Sequence, residues 1–169
     1  MRWAAAALLL AGCASLDKGE CVSADWYTIG LEDGANGRAV GRLGDHRRAC
    51  AEHRVAPDAE RWLAGRAEGL KSFCTFQRGY ANGRAGQSFA DVCPAELGAA
   101  FTAGWRQGRE RYELQRRLGA VEAEIRRIKD ALAAGIRDPK SRAYEADRLE
   151  ALSRDAQDLE RQIARLPSH

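Results

Sequence analysis

The hydrophobic positions in the last third of the chain recur with alternating steps of four and three residues. This spacing places apolar side chains on one face of a helix and is typical of a coiled-coil heptad. Two runs show it, one on each side of residues 135–139, where a glycine and a proline predict a helix end. We call these positions the heptad seam: Leu114, Leu118, Val121, Ile125, Ile128 and Leu132, then Leu149, Leu152, Ala156, Leu159, Ile163 and Leu166.

The two runs fit an antiparallel helical hairpin. If Ile128 faces Leu149, the same register brings Leu114 opposite Ile163, and each position between them also meets an apolar partner. We therefore predict a coiled-coil hairpin over residues 110–166. Because two helices that share one narrow seam are marginal alone, we expect the hairpin to dock on its own domain, on a second copy or on another protein.

The preceding part of the chain repeats an aromatic residue followed by glycines three and seven positions later. These positions share one helical face, where glycines let two backbones approach closely. Polar residues fill the gaps, which excludes membrane-spanning helices. We predict a bundle of short helices that cross at glycine faces, over residues 21–109. The four copies are Tyr27–Gly30–Gly34, Trp62–Gly65–Gly69, Phe76–Gly79–Gly83 and Phe101–Gly104–Gly108.

The aromatic rings of this repeat have two interpretations. They fill the spaces between crossing helices, or some of them line a shallow groove and stack on a sugar or peptide that polar neighbours orient. The possible binding face consists of Asp25, Trp26, Tyr27, Asp33, Trp62 and Arg66.

The first twelve residues have the pattern of a signal peptide: Met1-Arg2, about nine apolar residues, then Gly12. This run is shorter than the roughly twenty residues that a membrane-spanning helix needs. The sequence Leu10-Ala11-Gly12-Cys13 resembles the lipobox of bacterial lipoproteins. The resemblance implies cleavage after residue 12 and acylation of Cys13, which would anchor the chain in a membrane.

Ala14 follows the cysteine, and in lipoproteins of this kind a residue other than aspartate at that position implies delivery to the periplasmic face of the outer membrane. Residues 13–20 would then form a short lipidated tether.

Four further cysteines, Cys21, Cys50, Cys74 and Cys93, predict two disulfides in an oxidising compartment, with three possible connectivities. The pentapeptide Ala-Asn-Gly-Arg-Ala occurs at residues 35–39 and 81–85, near the midpoints of the sequential pairs. If each copy turns a helical hairpin, Cys21 pairs with Cys50 and Cys74 with Cys93, and we favour this pairing.

Composition adds few chemical possibilities. Basic and acidic residues are interspersed, with a net charge of +3, which argues against a nucleic-acid-binding surface. His46, Cys50 and His53 share a helical face, but a fourth metal ligand is not evident and Cys50 is better explained by a disulfide. No nucleophile elbow or phosphate loop is present, so we expect no metal, no cofactor and no enzymatic activity.

Several short motifs follow one another between residues 21 and 112. They are Asp25-Trp26-Tyr27 with Gly30 and Asp33-Gly34, His46 with Cys50, Pro57-Asp58, Gly65-Arg66 with Gly69-Leu70, Phe73-Cys74, Gly79-Tyr80 and Cys93-Pro94. Their order resembles a proteobacterial lipoprotein family known only as domain of unknown function 2799. The resemblance implies a small cysteine-bearing periplasmic domain and carries no catalytic or binding residues.

Together these patterns predict an all-α protein: a small disulfide-bonded bundle of Gly-rich helices followed by an antiparallel two-helix coiled-coil hairpin. We expect a periplasmic lipoprotein, held to the membrane by acyl chains on Cys13, with a structural or interaction role in the cell envelope. The hairpin would contact a protein partner or a second copy. The alternative is a module that binds peptidoglycan or another glycan through the aromatic-glycine face.

Overall fold

The computed structural model describes residues 16–167, and the predicted signal peptide and Cys13 lie outside this range. The described residues form helices joined by turns and loops without a strand, which confirms the all-α class. No helix in this part of the chain is both long enough and apolar enough to cross a membrane. The helices are α1 (Lys18–Val22), α2 (Trp26–Ala35), α3 (Arg42–Ala51), α4 (Ala59–Phe73), α5 (Phe76–Arg84), α6 (Ala95–Ala133) and α7 (Pro139–Arg165).

The chain divides into two compact units, one that ends at Phe73 and one that begins at Cys74. The first unit contains α1 to α4, and the second contains α5 to α7. In the first unit, α1 begins within the predicted tether because Asp17 and Glu20 form a reciprocal capping box around its first turn. Residues 18–20 are therefore helical.

The core of the first unit depends on direct contact between the glycines of α2 and the backbone of α4. A side chain on Gly30 would overlap the carbonyl of Trp62, and one on Gly34 would overlap the carbonyl of Arg66, one turn further along. Gly65 and Gly69 of α4 meet the backbone of α2 in the same way. Positions on both helices advance together, so α2 and α4 are parallel.

The second unit repeats this arrangement with α5 and α6. Gly79 lies against the carbonyl of Phe101, and Gly83 against that of Trp105, so these helices are also parallel. Gly104 and Gly108 meet the backbone of α5 reciprocally. The structure therefore confirms the predicted crossing at glycine faces and shows that the four sequence repeats form two copies of one parallel helix pair.

Of the two turns predicted at the pentapeptides, the one at residues 35–39 is present. The one at residues 81–85 is wrong, because residues 81–84 belong to α5. Gly37 has a positive φ of 67° and closes the turn after α2, with the ring of Phe73 beneath it. Gly83 instead lies inside α5, where its lack of a side chain serves helix packing. The glycine that corresponds to Gly37 in the second unit is Gly86, with φ 72° and the ring of Tyr112 beneath it.

Disulfides join Cys21 to Cys50 and Cys74 to Cys93, which is the pairing that the sequence favoured. The reason differs from the one that the pentapeptides suggested. In the first unit, Cys21 lies in α1 and Cys50 in α3, so the bridge joins these two helices. In the second unit, Cys74 directly precedes α5 and Cys93 directly precedes α6, so the bridge ties the start of one parallel helix to the start of the other.

The long helix α6 carries both sequence patterns, because the glycine repeat continues into the heptad seam without a break at residue 110. Gly135, with φ 87°, follows the end of α6, and Asp138 caps α7 with Pro139 at its first position. Near the base of the hairpin, Arg111 donates a hydrogen bond to the carbonyl of Leu166 at 3.3 Å.

Nearer the turn of this hairpin, Arg148 of α7 forms an ion pair with Glu124 of α6 at 2.6 Å. Residue numbers rise along α6 while those of the α7 partners fall, so the two helices are antiparallel. The predicted hairpin is confirmed.

Candidate functional site

The first unit contains a buried carboxylate at the junction of three helices. Asp33 of α2 is 9% exposed, next to Gly34, where α4 packs closely. Its Oδ2 atom accepts a hydrogen bond from Nε1 of Trp62 on α4 at 3.0 Å and lies 2.7 Å from Nε2 of His46 on α3. Trp62 and His46 are almost completely buried. The carboxylate thus joins α2, α3 and α4.

The protonation state of Asp33 follows from these partners. Burial alone would raise the pKa of the carboxyl group, but hydrogen bonds from His46 and Trp62, with the positive charge of Arg42, outweigh it and lower the pKa. The group is therefore ionised at neutral pH. Because an ionised carboxylate only accepts hydrogen bonds, Nε2 of His46 is the nitrogen that carries the shared proton.

Two arginines interact with the charge of this carboxylate. Nε of Arg42 lies 3.8 Å from Oδ1 of Asp33, and this nitrogen is buried without a hydrogen-bond partner. Arg66 donates from Nε to the carbonyl of Arg38 at 2.9 Å and lies over the ring of Trp62. Burial lowers the pKa of Arg66, and the charge of Asp33 partly opposes that shift.

Asp25, the first residue of the predicted binding face, has a local structural role. Its carboxylate caps α2 by accepting hydrogen bonds from the backbone of Tyr27 at 3.2 Å and the hydroxyl of Thr28 at 2.9 Å. It also forms an ion pair with Arg61 of α4 at 2.9 Å. The hydrogen bond from Thr28 is the main cause that lowers the pKa of Asp25.

A cleft of about 450 Å³ opens beside this cluster. Its walls carry carboxylates, guanidinium groups, hydroxyls and an amide, and His46 contributes its only aromatic ring. The lining residues are Leu16, Glu20, Ser23, Ala24, Asp25, Thr28, Ile29, Glu32, Asp33, Asn36, Arg38, Arg42 and His46.

The structure brings together only part of the predicted binding face. Asp33 contacts Trp62, and Asp25 lines the same cleft as Asp33. Trp26 is buried with its ring 6.2 Å from that of His46, so neither it nor Trp62 is available for stacking on a ligand. Tyr27 is 38% exposed and is not part of the cleft wall.

Sequence reasoning missed the roles of Arg42 and His46 beside Asp33. The sequence pattern groups His46 with Cys50 and His53 as possible metal ligands, yet Cys50 is bonded to Cys21. Among residues 16–167, no cluster of three or more histidine, cysteine or acidic side chains could hold a metal ion. The signal that could have placed His46 is its spacing, since it lies between the buried Leu43 and Cys50 on one helical face.

The second unit shows that the packing of a parallel helix pair does not require the cluster around Asp33. When the glycines of the two helix pairs are superimposed by position, Asn82 corresponds to Asp33 and Phe101 corresponds to Trp62. The same parallel pair thus forms without a buried carboxylate and without an indole donor. The group around Asp33 is an addition specific to the first unit, and its chemistry suits the binding of a polar ligand by hydrogen bonds and charge.

Comparison with known proteins confirms the resemblance drawn from the motifs. The model of a family described as "Protein of unknown function (DUF2799)" matches residues 25–110, which are 86 of the 169 residues of the chain. No curated protein and no solved structure matches the chain.

Proposed function

The chain belongs to the family of proteins of unknown function DUF2799, and we propose that it is a lipoprotein of the cell envelope that contacts a partner through the α6–α7 hairpin. In this proposal, acyl chains on Cys13 hold it at the periplasmic face of the outer membrane. The lipobox-like sequence before Cys13 supports the anchor, and two disulfides are compatible with an oxidising compartment.

The observation that carries the proposal is the incomplete burial of the heptad seam. Only four of its twelve residues are buried: Leu114, Ile128, Ala156 and Leu159. The others keep part of their apolar surface in solvent: Leu118, Val121, Ile125, Leu132, Leu149, Leu152, Ile163 and Leu166.

A further helix laid along this seam would cover the remaining apolar surface. Removal of apolar area from water stabilises such a complex by roughly 25 cal/mol per Å² before the entropy cost of association. The helix would come from a second copy of the chain or from another envelope protein.

Site-specific photo-crosslinking in cells tests this proposal. A photoreactive amino acid at the half-buried position Leu118 or Leu152 should give a discrete crosslinked product, which mass spectrometry identifies as a second copy or another protein. The same amino acid at the exposed position Gln157 provides the control. If the seam positions give only uncrosslinked chain, the proposed contact is wrong.

A second candidate function, the binding of peptidoglycan or another glycan, is favoured by the cleft beside Asp33. Sugars present hydroxyl groups that donate to carboxylates and accept from guanidinium groups, and both occur in the cleft wall at Asp33, Arg38 and Arg42. With Trp26 and Trp62 buried, recognition here would rest on hydrogen bonds rather than on ring stacking.

Retention on purified peptidoglycan tests this second function. The chain should be retained, and Arg42→Ala should weaken retention because this guanidinium is 30% exposed in the cleft beside Asp33. Arg47→Ala, on the exposed surface of the same helix, is the matched control. Equal retention of both variants, or no retention of the unchanged chain, would exclude the cleft as a glycan site.

A further inference from the structure

The end of the hairpin carries a net positive charge. Residues 126–142 contain six basic and two acidic side chains, a net charge of +4, whereas the whole chain carries +3. The remainder of the chain therefore has a net charge of −1. We call residues 126–142 the basic tip, and its six cations are Arg126, Arg127, Lys129, Arg137, Lys140 and Arg142.

The charges of the basic tip are open to solvent and only partly compensated. All six cations are exposed. Arg127 pairs with Glu124 at 2.8 Å, and Arg142 donates to the carbonyl of Ile136 at 2.8 Å. The other four form no ion pair with any residue that the structure describes: Arg126, Lys129, Arg137 and Lys140.

The acids of the basic tip do not neutralise this set. Asp138 is occupied as the cap of α7, where it accepts hydrogen bonds from the backbone and hydroxyl of Ser141. Asp130 is exposed on the last turns of α6. The ends of α6 and α7 and the loop between them thus present a net positive charge to solvent.

An aromatic ring lies next to these cations. Tyr144 is 66% exposed, the same fraction as Val22, and within residues 16–167 these two are the most exposed large hydrophobic residues. It follows Lys140 by one helical turn, so the ring and the ammonium group share a face of α7. Tyrosine with an apolar ring and a polar hydroxyl is suited to the boundary between lipid headgroups and acyl chains.

We propose that the basic tip docks on the phosphate headgroups of an anionic membrane surface, with Tyr144 at the headgroup level. Clustered lysine and arginine side chains are attracted to anionic leaflets, and the attraction decays within a Debye length of the surface. An acidic protein would satisfy the cations equally well, but an exposed aromatic ring beside them favours a lipid surface. The docking uses the turn of the hairpin and is independent of whether the heptad seam takes a partner.

Co-sedimentation with lipid vesicles tests the proposal. The chain from Ala14 onward keeps every residue that the structure describes and lacks the acylated cysteine, so binding reports on the protein surface alone. It should sediment with vesicles of phosphatidylglycerol and phosphatidylcholine and not with phosphatidylcholine alone. Salt at about 1 M should release it, because the Debye length is then only about 3 Å.

Charge removal at the tip gives the decisive comparison. Arg126→Gln, Lys129→Gln, Arg137→Gln and Lys140→Gln combined should lower partition onto the anionic vesicles about tenfold or more. The matched control removes the same charge from exposed positions of α6 and α7 outside the tip: Arg117→Gln, Arg154→Gln, Arg161→Gln and Arg165→Gln.

Circular dichroism verifies that both variants remain helical, so that a loss of binding cannot be ascribed to unfolding. Absence of anionic-vesicle binding by the unchanged chain, or equal loss in the two charge variants, would overturn the proposal. Loss in the tip variant with an unchanged seam crosslink separates this docking from the partner contact at the heptad seam.

Discussion

Nε2 of His46 lies 2.7 Å from Oδ2 of Asp33, and both residues are buried where α2, α3 and α4 meet. A buried carboxylate that keeps its charge needs donors to replace water, and here His46 and Trp62 supply them. The second unit builds an equivalent helix pair with Asn82 and Phe101 at the corresponding positions of Asp33 and Trp62. Helix packing therefore does not account for the charge of Asp33.

Replacement of Asp33 should change how the stability of the chain depends on pH, because the carboxylate is charged in the folded state. Because hydrogen bonds hold the pKa of Asp33 in the folded chain below its ordinary value, the unfolded chain binds the proton more readily. The stability from the ionised carboxylate is complete above the ordinary pKa of about 3.9 and is lost as pH falls through the lower, folded value. Asp33→Asn should lower the Tm at neutral pH, and the difference from the unchanged chain should narrow on acidification below pH of about 4.

Thermal unfolding followed by circular dichroism across this pH range measures the effect. Glu60→Gln, an exposed acid of the same unit, is the control and should leave the acid limb of the Tm profile unchanged. A Tm difference for Asp33→Asn that stays constant down to acid pH would mean that Asp33 carries no depressed pKa.

Two glycines of α6 should respond in opposite directions to the same substitution. A methyl group on Gly104 would overlap the backbone carbonyl of Phe76, whereas Gly119 has open space around it. Gly104→Ala should destabilise the second unit by about 1–3 kcal/mol or more, because the helices must separate. Gly119→Ala should stabilise it by up to about 1 kcal/mol through helix propensity.

Chemical denaturation of the two variants measures both changes against one reference. Gly119→Ala is the control, because any replacement of glycine by alanine lowers the backbone entropy of the unfolded chain. If both variants were stabilised, α5 and α6 would not pack through their glycines.

The sequence predicts the helix pairs and the hairpin because both depend on regular spacing. Aromatic and glycine positions three and seven apart define a packing face, and steps of four and three define the heptad seam. Such spacing does not determine whether two packed helices run parallel or antiparallel. The predicted turn at Asn82-Gly83 was wrong because the same glycine that favours a turn also permits close contact between helices.

The candidate site was harder to predict because it depends on three separate helices. The sequence pattern points to Asp33 and Trp62 but does not show that their side chains meet. Arg42 and His46 lie on a third helix, α3, which the bond between Cys21 and Cys50 joins to α1. The exposure of the rings was also undetermined, since the same spacing places an aromatic residue either in a core or along a groove.

The disulfides should contribute substantially to stability because each one closes a loop and so restricts the unfolded chain. Loss of a bridge that closes a loop of 29 or 19 residues costs about 3 kcal/mol in the chain-entropy model. The double variant Cys21→Ser with Cys50→Ser should therefore lower the free energy of unfolding of the first unit by about this amount.

Denaturant unfolding of this variant and of the unchanged chain, each with and without reductant, measures the effect. Reductant should still destabilise the variant, because it retains the bond between Cys74 and Cys93. Recovery of a peptide that links Cys50 to Cys74 under non-reducing conditions would contradict the pairing.

Two leucines of α7 should separate the stability of the hairpin from its contact with a partner. Leu159 is 4% exposed, so Leu159→Ala leaves a cavity against α6 and should cost about 2–5 kcal/mol of stability. Leu149 belongs to the same heptad seam but is only half-buried, so Leu149→Ala should cost less in the isolated chain. If a partner helix covers the seam, Leu149→Ala should nevertheless weaken the crosslinked product strongly, because that surface is removed from water only in the complex. If Leu149→Ala lowered the yield of the crosslinked product no more than its small loss of stability explains, the seam would serve only the packing of α6 against α7.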